Sequence, residues 1–141
     1  MLARAEKEEV AALSAEIQKT YRPVIIKEPE KTLAMIRQRD PVMRGTFYIG
    51  EVIVCEASVE IDGVPGISVL MGDDTGKTLD MAIIDAAINK GIFTGMEILL
   101  ALEEKQQHVL KRENAMFLKT MVNFESMDQE APDDLNAFKK A

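Results

Sequence analysis

Apolar residues recur at helical spacing at the start of the chain. Leu2, Val10, Leu13, Ile17 and Tyr21 fall in one stripe and predict a helix over 2–21. Glu6 is the one acid inside that stripe, near the frayed end where it stays solvated. Pro23 closes the helix, because proline has no N–H and restricts the residue before it. The pattern then changes. β-Branched residues 24–27 predict a short strand, Lys27-Glu28-Pro29-Glu30-Lys31 a polar turn, and residues 32–39 a second strand, although Leu33, Ala34 and Met35 also suit a helix. Asp40-Pro41 ends it. The strongest strand pattern covers 50–61, with Val52, Ile53, Val54, Val59 and Ile61, and a further β-rich run covers 64–71. Asp62-Gly63 joins the two and predicts a hairpin, since a type I′ turn needs positive φ at both central residues.

Gly72-Asp73-Asp74 leads into a helix with Asp74 or Thr75 as N-cap, running to Lys90 and stopped by Gly91. Periodicity predicts a long helix over 96–124, with Leu99, Leu102, Val109, Leu110, Phe117, Met121 and Phe124 in its stripe. The fold class is α+β: an antiparallel sheet of about four strands flanked by an N-terminal helix and two C-terminal helices. Residues 1–127 make one domain, and the acidic, polar residues 128–141 read as a disordered tail.

With a two-residue hairpin loop, one sheet face carries Ile53, Cys55, Ala57, Val59, Ile61, Val64 and Leu70. The other carries Val52, Val54, Ile67, Val69 and Met71, interrupted by Glu56, Ser58 and Glu60. Both faces are apolar enough to need cover. The helix over 79–90 has one stripe at Leu79, Ala82, Ile83 and Ala86 and another at Met81, Ile84 and Ile88, the mark of a helix buried on more than one side. Either the chain's own helices supply all of this cover or another chain does.

Composition narrows the function classes. The chain has 141 residues, 47% hydrophobic and 29% charged, enough for a core of its own. A net charge of −7 disfavours nucleic acid, while a locally basic patch for a small anion remains compatible with it. One cysteine, Cys55, allows no internal disulfide and fits a reducing compartment. The charged start, MLARAEKEEV, has no apolar core of a signal peptide, and no apolar run reaches membrane-spanning length. The expectation is a cytoplasmic protein with no membrane or nucleic-acid partner. Nine methionines against no tryptophan suggest adaptable packing surfaces.

No catalytic constellation emerges. His108 is the single histidine, mid-helix beside Gln106 and Gln107 with nothing local to tune it, and it reads as a surface residue. With Cys55 it makes no metal cluster, so no metal site is expected, and Cys55 itself reads as a buried structural thiol on an apolar strand face. No Walker or GxGxxG sequence is present. Two fragments have the residue types of an anion site. Arg44-Gly45-Thr46-Phe47-Tyr48-Ile49-Gly50 joins a basic residue and two glycines around an aromatic pair, and its plainer reading is a loop with tight turns. Gly72-Asp73-Asp74-Thr75-Gly76-Lys77 sits at a helix start, where its aspartates repel phosphate unless Mg²⁺ bridges them, and its plainer reading is an N-cap.

The ordered run RDPVMRGTFYIGEVIVCEASVEIDGVPGISVLMGDDTGKTLDMAIIDAAI resembles the heart of the PhnG family, the G subunit of the phosphonate carbon–phosphorus lyase system. FYIGEV enters a long strand, a second strand ends in MGDD, and a helix carries IIDAAI. VIIKEPEKTLAMIRQRD upstream and KTMVNF downstream extend the likeness over 2–127. The chain departs from the family in reading EKT before Leu33, where a glycine is expected, and its last helix shares little beyond Thr120-Met121-Val122.

The resemblance implies a subunit without catalytic residues or cofactor of its own, in a core complex with I-, H- and J-type subunits. With an ATPase-like L subunit, the complex displaces adenine from its substrate ATP by a phosphonate, giving ribose 1-methylphosphonate 5-triphosphate. A separate radical-SAM J subunit later breaks the carbon–phosphorus bond. Expected partner contacts are Phe47, Tyr48, Met81, Ile84, Ile88, Phe117 and Met121, and the expected anion or substrate contacts are Arg44, Gly45 and Gly50. Two alternatives stand beside this reading. One is a homodimeric nucleotide- or anion-binding module without partner subunits. The other is an independent enzyme holding a nucleotide at 44–50 and Mg²⁺ at Asp73 or Asp74.

Overall fold

Pro23 does end the first helix. In the computed structural model, which describes residues 1–40 and 45–121, α1 spans Lys7–Thr20 and Tyr21 is already extended. The N-terminal residues do not join it. Leu2–Arg4 form a separate 3₁₀ turn, and Glu6 is the N-cap of α1, its N–H donating to the Glu9 carboxylate at 3.1 Å. The acid that interrupted the apolar stripe therefore lies outside the helix proper.

The expected α+β arrangement of an antiparallel sheet with one N-terminal and two C-terminal helices is present. Among the described residues the sheet has three strands where about four were expected: β1 (Val24–Arg39), β2 (Thr46–Ile61) and β3 (Val64–Met71), antiparallel in the order β1-β2-β3. The expected turn at 27–31 is absent because β1 runs straight through it. Register shifts between Ile25 and Lys27 and between Lys27 and Glu30 absorb the extra residues as bulges. β1 lies at the sheet edge, where Pro29 removes no hydrogen bond the sheet requires. The Asp62-Gly63 turn forms as the sequence predicts, with φ of 47° and 84° and Ile61 opposite Val64.

α2 (Thr75–Lys90) starts at its N-cap Asp74, whose carboxylate accepts from the Lys77 N–H at 3.0 Å, and stops at Gly91 with φ of 78°. It packs on the sheet, over the buried face of Cys55, Ala57, Val59, Ile61, Ser68 and Leu70. α1 packs on α2 from the other side. Sandwiched in this way, α2 buries Ala82, Ile83, Ile84, Ala86 and Ala87, and its all-round apolar character is consumed inside the molecule. Val10, Leu13 and Ile17 from α1 and Leu99 and Leu102 from α3 complete the core.

Close approach needs a small surface. At Gly66 a Cβ would lie 2.3 Å from both the Ala82 carbonyl oxygen and the Ala86 nitrogen, so α2 rests directly on the β3 backbone. The same helix also clamps the β3 edge. Asp85 accepts a hydrogen bond from the Ile67 N–H at 3.0 Å, and Asn89 donates to the Pro65 carbonyl at 3.0 Å. Two of the edge groups that could pair with another chain, the Ile67 N–H and the Pro65 carbonyl, are thereby occupied.

α3 spans Met96–Thr120; residues 122–124 of the predicted 96–124 lie outside the described residues, as do the predicted tail residues 128–141. Contacts divide the chain into a unit of residues 1–107 and a second that begins at His108. In the second, Val109, Met116, Phe117 and Leu118 are exposed on α3.

Candidate functional site

The helices cover only part of the sheet. β3 pairs with β2 from Val54 onward, so residues 46–53 of β2 have, among the described residues, β1 as their one strand neighbour. This stretch and residues 33–39 of β1 form a two-stranded arm extending past the helical layer. Leu33, Met35, Ile36, Phe47, Tyr48, Ile49 and Ile53 are all exposed on it, Tyr48 and Leu33 at 60% each. Ile53 shows where the cover ends: it continues the buried face of Cys55, yet it is 53% exposed because α2 does not reach it. A two-stranded ribbon is marginal in water, and a contiguous apolar surface of this kind marks an interaction site. The sheet face away from α2 is open too, with Ile67, Val69 and Met71 exposed. Val54 on that face is buried, flanked on the central strand by Thr32 and Met71.

Several expected contact residues meet on the arm. Phe47 and Tyr48 stand exposed near its far end, Gly45 accepts a hydrogen bond from the Asp40 N–H at 2.9 Å, and Gly50 lies opposite Ile36 with open space around it. Arg44 lies outside the described residues. The expected contacts on α2 are elsewhere and fare differently. Ile84 is fully buried in the chain's own core and offers no surface to a partner, because α1 occupies the side of α2 that looked free. Met81 is half-buried, and Ile88 is exposed at the helix end. Phe117 and Met121 are exposed. Ile49 lies within FYIGEV, a segment the sequence already marked for contact, whereas sequence reasoning missed Leu33, Met35 and Ile36 as surface. The signal was the unbroken run Leu33-Ala34-Met35-Ile36, which makes a strand apolar on both faces.

The glycine- and aspartate-rich segment before α2 is structural. Asp74 caps the helix and pairs with the Lys7 ammonium at 2.7 Å. That hydrogen bond and the one from the Lys77 N–H hold the Asp74 carboxyl below the usual carboxylate range, and Lys7 is raised in turn by its bond to Asp74. Asp73 pairs with Lys31 at 3.1 Å. Lys77 is buried, its ammonium donating to the Ala3 and Ala5 carbonyls at 2.9 and 2.6 Å, so it holds the N-terminal turn rather than a ligand. Asp73, Asp74 and Lys77, the charged side chains of this segment, are each engaged within the chain. Cys55 is fully buried. Among the described residues, no three His, Cys, Asp or Glu side chains gather so that they could hold a metal ion, and no helix is long and apolar enough to cross a membrane. A groove of about 420 Å³ beside α1, lined by Leu13, Ile17, Tyr21, Phe93 and Ile98, carries only Glu16 as an ionisable carboxylate.

Compared with known proteins, residues 1–129 match a family model described as "Phosphonate metabolism protein PhnG". No curated protein matches the chain.

Proposed function

The chain belongs to the PhnG family and with it has a role in phosphonate metabolism; on that footing we propose that it is an accessory subunit of a phosphonate-processing complex, docking through the β1–β2 arm. The arm carries this reading. Seven large apolar side chains exposed on a two-stranded ribbon are costly in isolation and are stabilised when another chain buries them. The carbon–phosphorus lyase core is the assembly in question, with I-, H- and J-type subunits as partners and the I-type subunit as the principal contact. The complex transfers the ribose triphosphate of ATP to an alkylphosphonate with release of adenine. This chain supplies scaffold and orientation to that step, needs no cofactor of its own, and works in the cytoplasm. A homodimer is the second reading, favoured by the open sheet face of Ile67, Val69 and Met71.

Co-expression with an I-type subunit from the same genome, followed by size exclusion with light scattering, tests this. The expected result is one stable peak containing both chains, with adenine release from ATP and methylphosphonate only when this chain is present. Separate elution at all concentrations, with the chain running at twice its own mass, would replace the subunit reading with the homodimer.

A further inference from the structure

The arm carries charge as well as apolar surface. β1 and β2 pair Arg37 with Tyr48 and Arg39 with Thr46. Directly opposed residues of an antiparallel ladder point to one side of the sheet, and residues two apart on a strand share that side. All four side chains therefore emerge on one face of the arm, and all four are exposed. The two arginines are about 7 Å apart along β1, and each has its hydroxyl-bearing neighbour about 5 Å across the ladder. Neither arginine makes a salt bridge among the described residues. The lysines of the same strand are neutralised, Lys27 by Glu30 and Glu56 and Lys31 by Asp73. In a chain of net charge −7, Arg37 and Arg39 thus place two guanidiniums, without a salt bridge among the described residues, on one ribbon face.

We propose that Arg37, Arg39, Thr46 and Tyr48 form a grip for a tetrahedral oxyanion, a phosphonate or phosphate group of the substrate, which the arm presents to the assembled complex. Guanidinium forks match phosphoryl oxygens in a bidentate way that lysine ammoniums do not. The two hydroxyls add donors on the same face, suiting a group with three acceptor oxygens better than the two of a carboxylate. Embedding the arm's apolar side chains in a partner removes water around this face, and the same charges then act through a lower dielectric. The grip rests on strand register and charge. Only the identity of its oxyanion rests on the phosphonate-processing reading above.

The test is titration of the full isolated chain with tripolyphosphate and, separately, with methylphosphonate, followed by amide NMR and calorimetry. The wild-type chain is expected to bind saturably, with shifts centred on residues 37–39 and 46–48. The double variant R37A/R39A should bind about tenfold more weakly or worse, and Tyr48→Phe should lose a smaller factor with the fold intact. Binding of tripolyphosphate alone assigns the grip to the nucleotide's phosphates, and binding of methylphosphonate alone assigns it to the phosphonate. Absence of saturable binding, or equal binding by R37A/R39A, overturns the proposal. So does a double variant that keeps its anion affinity and instead loses the partner subunit, which would make the patch a protein-docking face. The titration needs no partner, so its failure is distinguishable from failure of co-elution, which sinks the subunit reading instead.

Discussion

A methyl group on Gly66 of β3 would come within 2.3 Å of the Ala86 backbone nitrogen in α2. Helix and strand touch backbone to backbone there, with the small Ala82 and Ala86 facing the glycine. Neither side has a flexible side chain that can yield. Gly66→Ala is therefore expected to push α2 off the sheet and lower stability by about 3 kcal/mol or more, read from urea denaturation. Gly50→Ala is the matched control: nothing lies within 4 Å of its added methyl, so its cost should stay within about 0.5 kcal/mol. Equal losses at the two positions would mean that the contact is not made in solution.

The clamp of α2 on the β3 edge predicts a local effect. Asp85→Ala removes the acceptor of the Ile67 N–H. Stability should fall by about 1 kcal/mol, and hydrogen exchange at the Ile67 amide should accelerate more than at neighbouring amides of β2. An unchanged exchange rate at Ile67 would rule the clamp out.

Asp74 predicts a pH dependence. Its carboxyl is held below the ordinary range, first by Lys7 and then by the Lys77 N–H, so the native state takes up that proton less readily than the unfolded chain. The resulting stability is full above the unfolded value of about 3.9 and is lost as pH falls through the lower native value. Lys7 is raised, so its share is full below the usual lysine value and is lost as pH rises through the native one. Asp74→Asn keeps a capping side chain and removes the charge. The stability gap between wild type and Asp74→Asn should be flat near neutrality and close at both extremes. A gap that does not change with pH would show that only the cap matters.

Two substitutions separate partner contact from folding. Phe47 is exposed on the arm, and Phe47→Asp should abolish co-elution with the partner subunit while leaving the melting temperature of the isolated chain unchanged. Ile84 is fully enclosed, and Ile84→Asp should cost about 3 kcal/mol or more and unfold the chain by itself, because it buries a charge without a partner. Co-elution of a folded Phe47→Asp chain would move the interface away from the arm.

The local elements were legible in the amino-acid sequence because their signals are local. Asp62-Gly63 dictates its turn through positive φ, Asp74 and Gly91 bound α2 through capping, and Pro23 ends α1 through its missing N–H. The run from FYIGEV to IIDAAI was enough to indicate the family that the match over residues 1–129 shows. What tertiary structure alone decided is which apolar surface is used inside. Periodicity marked both stripes of α2 and both faces of the sheet as needing cover, and it contains no information on which neighbour arrives. Stacking α1 on α2 enclosed Ile84, while the short β3 and the reach of α2 left Ile53, Phe47 and Tyr48 outside. The bulges that carry β1 through Lys27–Glu30, and the pairing of Arg37 with Tyr48, likewise depend on a strand distant in sequence. Hydrophobicity reports that a residue favours leaving water, and only the folded chain settles whether its own core or another surface receives it.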